Sequence, residues 1–282
     1  MKKSEVCHDQ FFTKLKVVKL CLELISKFVV DVDIFIEPSA GSGNFYNQLP
    51  ANKRIGLDIE SQFQEIIECD FLKWDLPNNL LGEKVCFVGN PPFGKNSSLA
   101  IKFFNRSALL GDSICFILPR TFRKSSVINR LNEFFHLQHQ IILPENSFEL
   151  IDGTSYSVPT VFQIWIKKDF KREKIKTNSK HPDWEWTSKE YANISIRRVG
   201  INAGKVFNHT NVSESSHYFL KTKDIDKVFN NLKSIFEEQW NPKTCSNLSC
   251  KYDTAGNPSL SKAEIVKEYR NLMLNQTCKY KI

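Results

Sequence analysis

Apolar residues along this chain gather in short unbroken blocks, and stretches of helical spacing lie between the blocks. Ile34-Phe35-Ile36, Val85-Cys86-Phe87-Val88 and Ser113-Ile114-Cys115-Phe116-Ile117-Leu118-Pro119 show no polar alternation, so each reads as a strand buried on both faces. Arg54 to Glu60, Ile66 to Leu72, His139 to Leu143 and Val161 to Ile166 bring the strand-like pieces to seven. Lys14 to Ile25, Ser98 to Leu110 and a segment around Lys124 to Phe135 read as helices, and a further helix is expected to begin near Asn44. Strands alternating with helices predict an α/β domain with a mostly parallel, doubly wound sheet. The last two strands have no helix between them, which predicts an antiparallel edge hairpin around the loop Asn146 to Pro159.

The charge run Lys167 to Lys176 breaks this pattern, and a boundary is expected there, giving a domain of residues 1–168 and a region of 169–282. The second region reads as α+β. Ile194 to Gly200 and Tyr218-Phe219-Leu220 look like strands, and Asp224 to Gln239 like an amphipathic helix. No internal repeat is visible.

The chain has 282 residues, 41% of them hydrophobic and 25% charged, the composition of an ordinary globular protein. No run of about 18 apolar residues suggests a membrane span, and Met1-Lys2-Lys3-Ser4-Glu5 leads into no secretory signal. An intracellular, cytoplasmic protein is therefore expected. The eight cysteines read as reduced thiols, and Cys245-x4-Cys250 lacks the spacing and second pair of a zinc site, so no metal is expected. A formal net charge of +8 favours a polyanionic partner.

Chemistry concentrates at the ends of the strand-like blocks, where open α/β sheets bind ligands. Val88-Gly89-Asn90-Pro91-Pro92-Phe93-Gly94 follows a buried strand. Its two prolines lack N–H donors and fix φ, so the turn is stiff and presents carbonyls in set directions. Asn90 adds a side-chain acceptor and Phe93 a flat apolar face, a combination suited to a planar group bearing an exocyclic amine. Upstream, Glu37-Pro38-Ser39-Ala40-Gly41-Ser42-Gly43-Asn44-Phe45 is a strand end followed by a glycine turn. A dinucleotide fingerprint would need a third glycine at Tyr46, which excludes that pattern. Asp58 lies 21 positions after Glu37, near the spacing at which nucleoside-binding folds set a carboxylate on ribose hydroxyls. Thr13 is placed to cap the first helix, whose N-terminus could receive a carboxylate.

Asn-Pro-Pro-Phe and the Glu37–Phe45 segment together resemble the N6-adenine DNA methyltransferases, with cofactor motifs preceding the catalytic one as in the γ arrangement of restriction–modification enzymes. The resemblance covers residues 10 to about 168. It implies a Rossmann-like class I fold with a seven-stranded, mostly parallel sheet and S-adenosyl-L-methionine as cofactor. It would place Phe12, Thr13, Glu37, Ser39, Gly41, Gly43, Asp58, Ile59, Asp70 and Phe71 around that cofactor, and make Asn90, Pro91 and Phe93 catalytic. In such enzymes the acid at Asp70 accepts from the cofactor's adenine amine, and the aromatic at Phe71 packs on its ring. Pro92, Phe148 and Tyr156 are candidates to meet the target base.

Residues 169–282 would occupy the position of a target-recognition region. Arg197, Arg198 and Lys205, interleaved with Trp186, are candidates for the nucleic-acid backbone. DNA is the favoured partner, and the number of copies in the active form is left open. Phe93, where many DNA enzymes have Tyr, also occurs in RNA base methyltransferases, the first alternative. A protein glutamine methyltransferase and a silent nucleic-acid-binding subunit complete the set.

Overall fold

A computed structural model of the chain describes residues 11–61, 63–150, 152–239, 253–254 and 258–279. The chain forms two compact units that divide after Ile175. The seven residues beyond the expected boundary at 168/169 stay with the first unit: Arg172 donates to the carbonyls of Ile128 and Leu131, and Ile175 exchanges hydrogen bonds with the Asn129 side chain.

In chain order the first unit comprises β1 (Phe12–Thr13), α1 (Leu15–Phe28), β2 (Ile34–Glu37), β3 (Arg54–Asp58), β4 (Ile66–Glu68), β5 (Val85–Gly89), α2 (Ser98–Leu110), β6 (Ser113–Pro119), α3 (Ser125–Ile128), β7 (Phe135–Ile142), β8 (Phe148–Glu149), β9 (Ser155–Tyr156) and β10 (Thr160–Lys167). Seven of these strands build one sheet in the order β4-β3-β2-β5-β6-β10-β7. The first five run parallel, and β10 enters antiparallel between β6 and β7. This is the mostly parallel seven-stranded sheet with an antiparallel edge hairpin that the apolar blocks predict.

The unbroken apolar runs follow from burial on both faces. Phe87, Ile114, Phe116 and Leu118 point into a core shared with Ala100, Phe103 and Phe104 of α2. Their neighbours Cys86, Val88, Cys115 and Ile117 point the other way, against Val17, Val18, Cys21 and Ile25 of α1. Each fully buried phenylalanine contributes roughly 1.5–3 kcal/mol, so the centre of the sheet is its most firmly held part. Burial pushes the Cys21 and Cys115 thiols above their ordinary range, as expected of inert core cysteines. Cys7, Cys245 and Cys250 lie outside the described residues.

Three local expectations fail for identifiable reasons. No α-helix follows the glycine turn; Tyr46–Gln48 makes one 3-10 turn, and Pro50 holds Leu49 extended at φ −80°, ψ 152°. The helix expected over Lys124–Phe135 is only α3: past Ile128 the Arg130 and Leu131 N–H groups bond three residues back, and Asn132 then turns the chain by accepting the Phe134 N–H. Thr13 does not cap α1: it belongs to β1, and the extended Lys14 stands at the cap without a side-chain bond. The loop after β7 is also structured, since β8 pairs with β1 on one side and β9 on the other in a small antiparallel sheet.

The second unit comprises β11 (Glu185–Trp186), β12 (Ile194–Arg197), β13 (Val206–Phe207), β14 (His217–Lys221), α4 (Ile225–Lys233), a π-helical turn Ser234–Gln239 and α5 (Lys262–Lys279). Its strands form an antiparallel sheet in the order β11-β14-β12-β13. Ile194, Ile196 and Leu220 pack there against Val228, Leu232, Ile265, Val266 and Tyr269. Asp224 caps α4 by accepting from the Lys227 N–H at 3.1 Å. Among the described residues no helix is long and apolar enough to cross a membrane.

Candidate functional site

Parallel pairing aligns the C-terminal ends of β2, β3 and β5, and so gathers Glu37, Asp58 and Asn90 at one edge of the sheet. The chain leaves β2 through a turn in which Gly41 and Gly43 hold φ of +50° and +73°. Asp58 fixes this turn: its Oδ2 accepts the Gly41 N–H at 2.7 Å while its Oδ1 accepts from Glu60 at 3.0 Å. From β1, the Phe12 ring lies over the same turn, 3.5 Å from where a Gly41 Cβ would stand. Asn44 donates to the Thr13 carbonyl at 2.8 Å, so the two segments are stitched together.

Glu37 is 3% exposed. Burial, with the Asp58 charge adding to it, pushes its carboxyl well above the usual range, against the lowering effect of the Tyr46 N–H. Its Oε2 has no protein partner among the described residues, and the same holds for Oγ1 of Thr13 and Oδ1 of Asn90. Buried acceptors left in this condition are uncommon in folded proteins. Gly89, which precedes Asn90, lets Glu37 pack close: its φ is +138°, and a Cβ there would meet the Glu37 Cγ at 3.1 Å. Ser39 donates to the Asn90 carbonyl through a long 3.4 Å bond, tying the glycine turn to the Asn-Pro-Pro-Phe turn. Unpartnered carboxylate, hydroxyl and amide oxygens beside a glycine turn suit a ligand that carries positive charge and several hydrogen-bond donors.

Around Asn90, Pro91 and Phe93 are buried and Pro92 half-buried. Phe93 meets the edge of Phe11 at 5.5 Å, and Phe11 touches Phe148 at 4.8 Å and Tyr156 at 5.7 Å. The small β1-β8-β9 sheet thus sets Phe11, just before β1, against the Asn-Pro-Pro-Phe turn, with Phe148 and Tyr156 on Phe11. Phe11 belongs to the string Gln10-Phe11-Phe12-Thr13 but had no role of its own there; Phe12 opens a two-residue strand, too short to show which side each ring faces.

The candidate rings part company here. Tyr156 is 39% exposed, whereas Phe148 is fully covered and serves the core. Phe71 is likewise a core ring, packed on Phe87 and Phe103 at 5.6 and 5.1 Å. Asp70 accepts the Leu72 N–H at 3.0 Å, and Ile59 beside Asp58 is 74% exposed.

Arg197, Arg198 and Lys205 lie in the second unit. Arg197 donates to the Val199 carbonyl, Arg198 donates twice to that of Ser215 and lies 5.5 Å from the Tyr218 ring centre, and Lys205 sits 5.5 Å from that of Phe207. Both guanidiniums therefore already serve their own unit. A cavity of about 650 Å³ lies at the opposite ends of the strands, among Val30, Lys84, Asp112 and Lys167. Its lysines pair with Asp31 and Asp112 at 3.5 and 3.9 Å, and none of the candidate residues lines it.

No protein-family model matches the chain. No curated protein matches it either. Among solved structures it is similar to a Pyrococcus horikoshii protein named as an RNA methyltransferase, at 16% identity and a TM-score of 0.45 over 59% of this chain and 92% of that one. A Listeria monocytogenes protein named as a class I S-adenosylmethionine-dependent methyltransferase gives 15% identity and a TM-score of 0.45 over 62% and 66%. The methyltransferase subunit of a type I restriction-modification system from Streptococcus thermophilus gives 14% and 0.41 over 79% and 53%, so this chain spans about half of that subunit.

Proposed function

We propose that the chain is an S-adenosyl-L-methionine-dependent methyltransferase that methylates the N6 amino group of adenine in DNA. The observation that carries this reading is the buried Oδ1 of Asn90, unpartnered among the described residues and one position after Gly89, against which Glu37 packs. S-adenosyl-L-methionine, when bound, supplies an electrophilic sulfonium methyl. The residues present fit it: Glu37 and Thr13 offer buried acceptors, Gly41 and Gly43 open the backbone to close approach, and Asp58 keeps lone pairs for ribose hydroxyls.

The adenine amine is a poor nucleophile because its lone pair is delocalised into the ring. Asn90 Oδ1 and the Pro91 carbonyl would accept its two hydrogens, drawing the nitrogen toward sp3 geometry and aiming the lone pair at the methyl. The same acceptors stabilise the positive charge that develops on nitrogen, and no covalent enzyme intermediate is needed. Phe93 and Tyr156, each against Phe11, supply aromatic surface for the extruded base. The net charge of +8 supports a polyanionic substrate.

The test is transfer of a radiolabelled methyl group to duplex DNA and to total RNA, followed by digestion and identification of the modified nucleoside. N6-methyladenine in DNA is the expected product; label in RNA alone would overturn the choice of polymer. Asn90→Ala should bind the cofactor as the wild type does and lose about 10²–10³-fold in kcat. An undiminished rate would overturn the role of Asn90.

A further inference from the structure

The catalytic turn is fastened at its entrance by Gly89 against Glu37, and its exit is built as unusually. Gly94, Asn96 and Ser97 hold φ of +66°, +54° and +60°. Asn96 and Ser97 are not glycines, and two adjacent left-handed residues with side chains persist only where their surroundings over-determine them. Part of that constraint is backbone: the Phe93 carbonyl accepts from Leu99 and Ala100 at 3.1 and 3.2 Å, and the Gly94 carbonyl from Ser97 at 3.1 Å. A side-chain pair adds to it. Ser97 is fully buried, and its Oγ lies 2.7 Å from Oγ1 of Thr121.

Thr121 comes two residues after β6, the parallel neighbour of β5. Its own segment is anchored by the Arg120 N–H on the Pro159 carbonyl at 3.1 Å and by the Lys124 N–H on the Thr121 carbonyl at 2.9 Å. The hydroxyl pair therefore joins the far side of the Asn-Pro-Pro-Phe turn to the adjoining strand, 24 residues away in sequence.

We infer that Ser97 and Thr121 are positioning residues: their hydroxyl pair holds the Asn90–Phe93 turn in its acceptor-presenting geometry. This rests on the reading of that turn as the place where the methyl acceptor is held. Neither residue touches Asn90; both act through the backbone from Phe93 to Ala100. Proline stiffness fixes the middle of the turn, glycine and Glu37 fix its start, and the hydroxyl pair fixes its end.

The experiment compares full-length wild type, Thr121→Val and Thr121→Ser. Valine keeps the side-chain shape and leaves the Ser97 hydroxyl without this partner, whereas serine keeps the hydroxyl. Amide hydrogen exchange over residues 93–100 should quicken about fivefold to tenfold in Thr121→Val, the loss of roughly one hydrogen bond. Over the same series kcat should fall by a similar factor, with the dissociation constant of S-adenosyl-L-methionine within about twofold of wild type. Thr121→Ser should restore both quantities.

Unchanged exchange in Thr121→Val would overturn the inference whatever the substrate proves to be. Faster exchange with an unchanged kcat would overturn the positioning role. Faster local exchange in a protein whose wild type methylates no adenine would instead support the clamp and sink the functional reading, so the two failures are told apart.

Discussion

Glu37 sets up a direct opposition between stability and binding, and Glu37→Gln measures it. The carboxyl is sealed from solvent, takes one backbone N–H from Tyr46, and has its second oxygen unpartnered among the described residues. Burial first, and then Asp58, raises its pKa in the folded protein, whereas in the unfolded chain it ionises near the ordinary value of about 4.3. Below that value both states carry the proton and the group has no effect on stability. As pH rises past it, the unfolded chain releases its proton while the folded one retains it, so stability is lost until the folded pKa is reached.

Glutamine has the same shape and never ionises. Glu37→Gln should therefore stabilise the ligand-free protein above about pH 5, by an amount that grows about 1.4 kcal/mol per pH unit until the folded pKa is reached. That corresponds to about 2–4 °C of melting temperature per kcal/mol. The gain should vanish near pH 4. Scanning calorimetry from pH 4 to 8, with and without S-adenosyl-L-methionine, reads both sides: the cofactor should raise the wild-type midpoint well beyond that of the variant, because a charge-assisted acceptor has been removed. A variant that melts lower than wild type at pH 8, gains equally at every pH, or binds the cofactor as tightly would refute the reasoning.

Phe148→Ala and Tyr156→Ala separate the two rings of the β8-β9 hairpin. The first removes a fully buried ring and should lower unfolding stability in urea by about 3–5 kcal/mol, while the second should leave it within roughly 0.5–1 kcal/mol and weaken oligonucleotide binding measured by fluorescence anisotropy. The reverse pattern would show that the exposed ring is structural. Asp58→Asn keeps an oxygen for the Glu60 N–H but sets an NH2 against the Gly41 N–H and loses the charge; its melting temperature should fall by about 2–4 °C for roughly one lost bond, and calorimetry should show cofactor affinity reduced about tenfold or more. Undiminished affinity would remove Asp58 from the ribose site.

The sheet could be read from composition because its central strands are buried on both sides, and β5 and β6 accordingly carry unbroken apolar runs. The failures arose where a side chain or a proline overrode periodicity: Pro50 cut short the expected helix after the glycine turn, and Asn132 turned the chain shortly after the brief α3. Strands of two residues such as β1, β8 and β9 hold no period at all, so the pairing that delivers Phe11 to Phe93 had no linear trace. In the second unit α5 did leave one, with Ile265, Val266, Tyr269, Leu272 and Met273 at helical spacing.

The candidate site divides along the same line. Its residue types were legible because turns and strand ends carry their chemistry in short strings. Their condition was not, because an acceptor with no partner is a property of everything around it. Asn90 shows the difference. In sequence it is an amide before two prolines. In the folded chain it is an acceptor left without a protein partner among the described residues, one position after a glycine against which Glu37 packs. A side chain at 89 would keep the Asn-Pro-Pro-Phe string intact while crowding Glu37 and straining a backbone held at φ +138°.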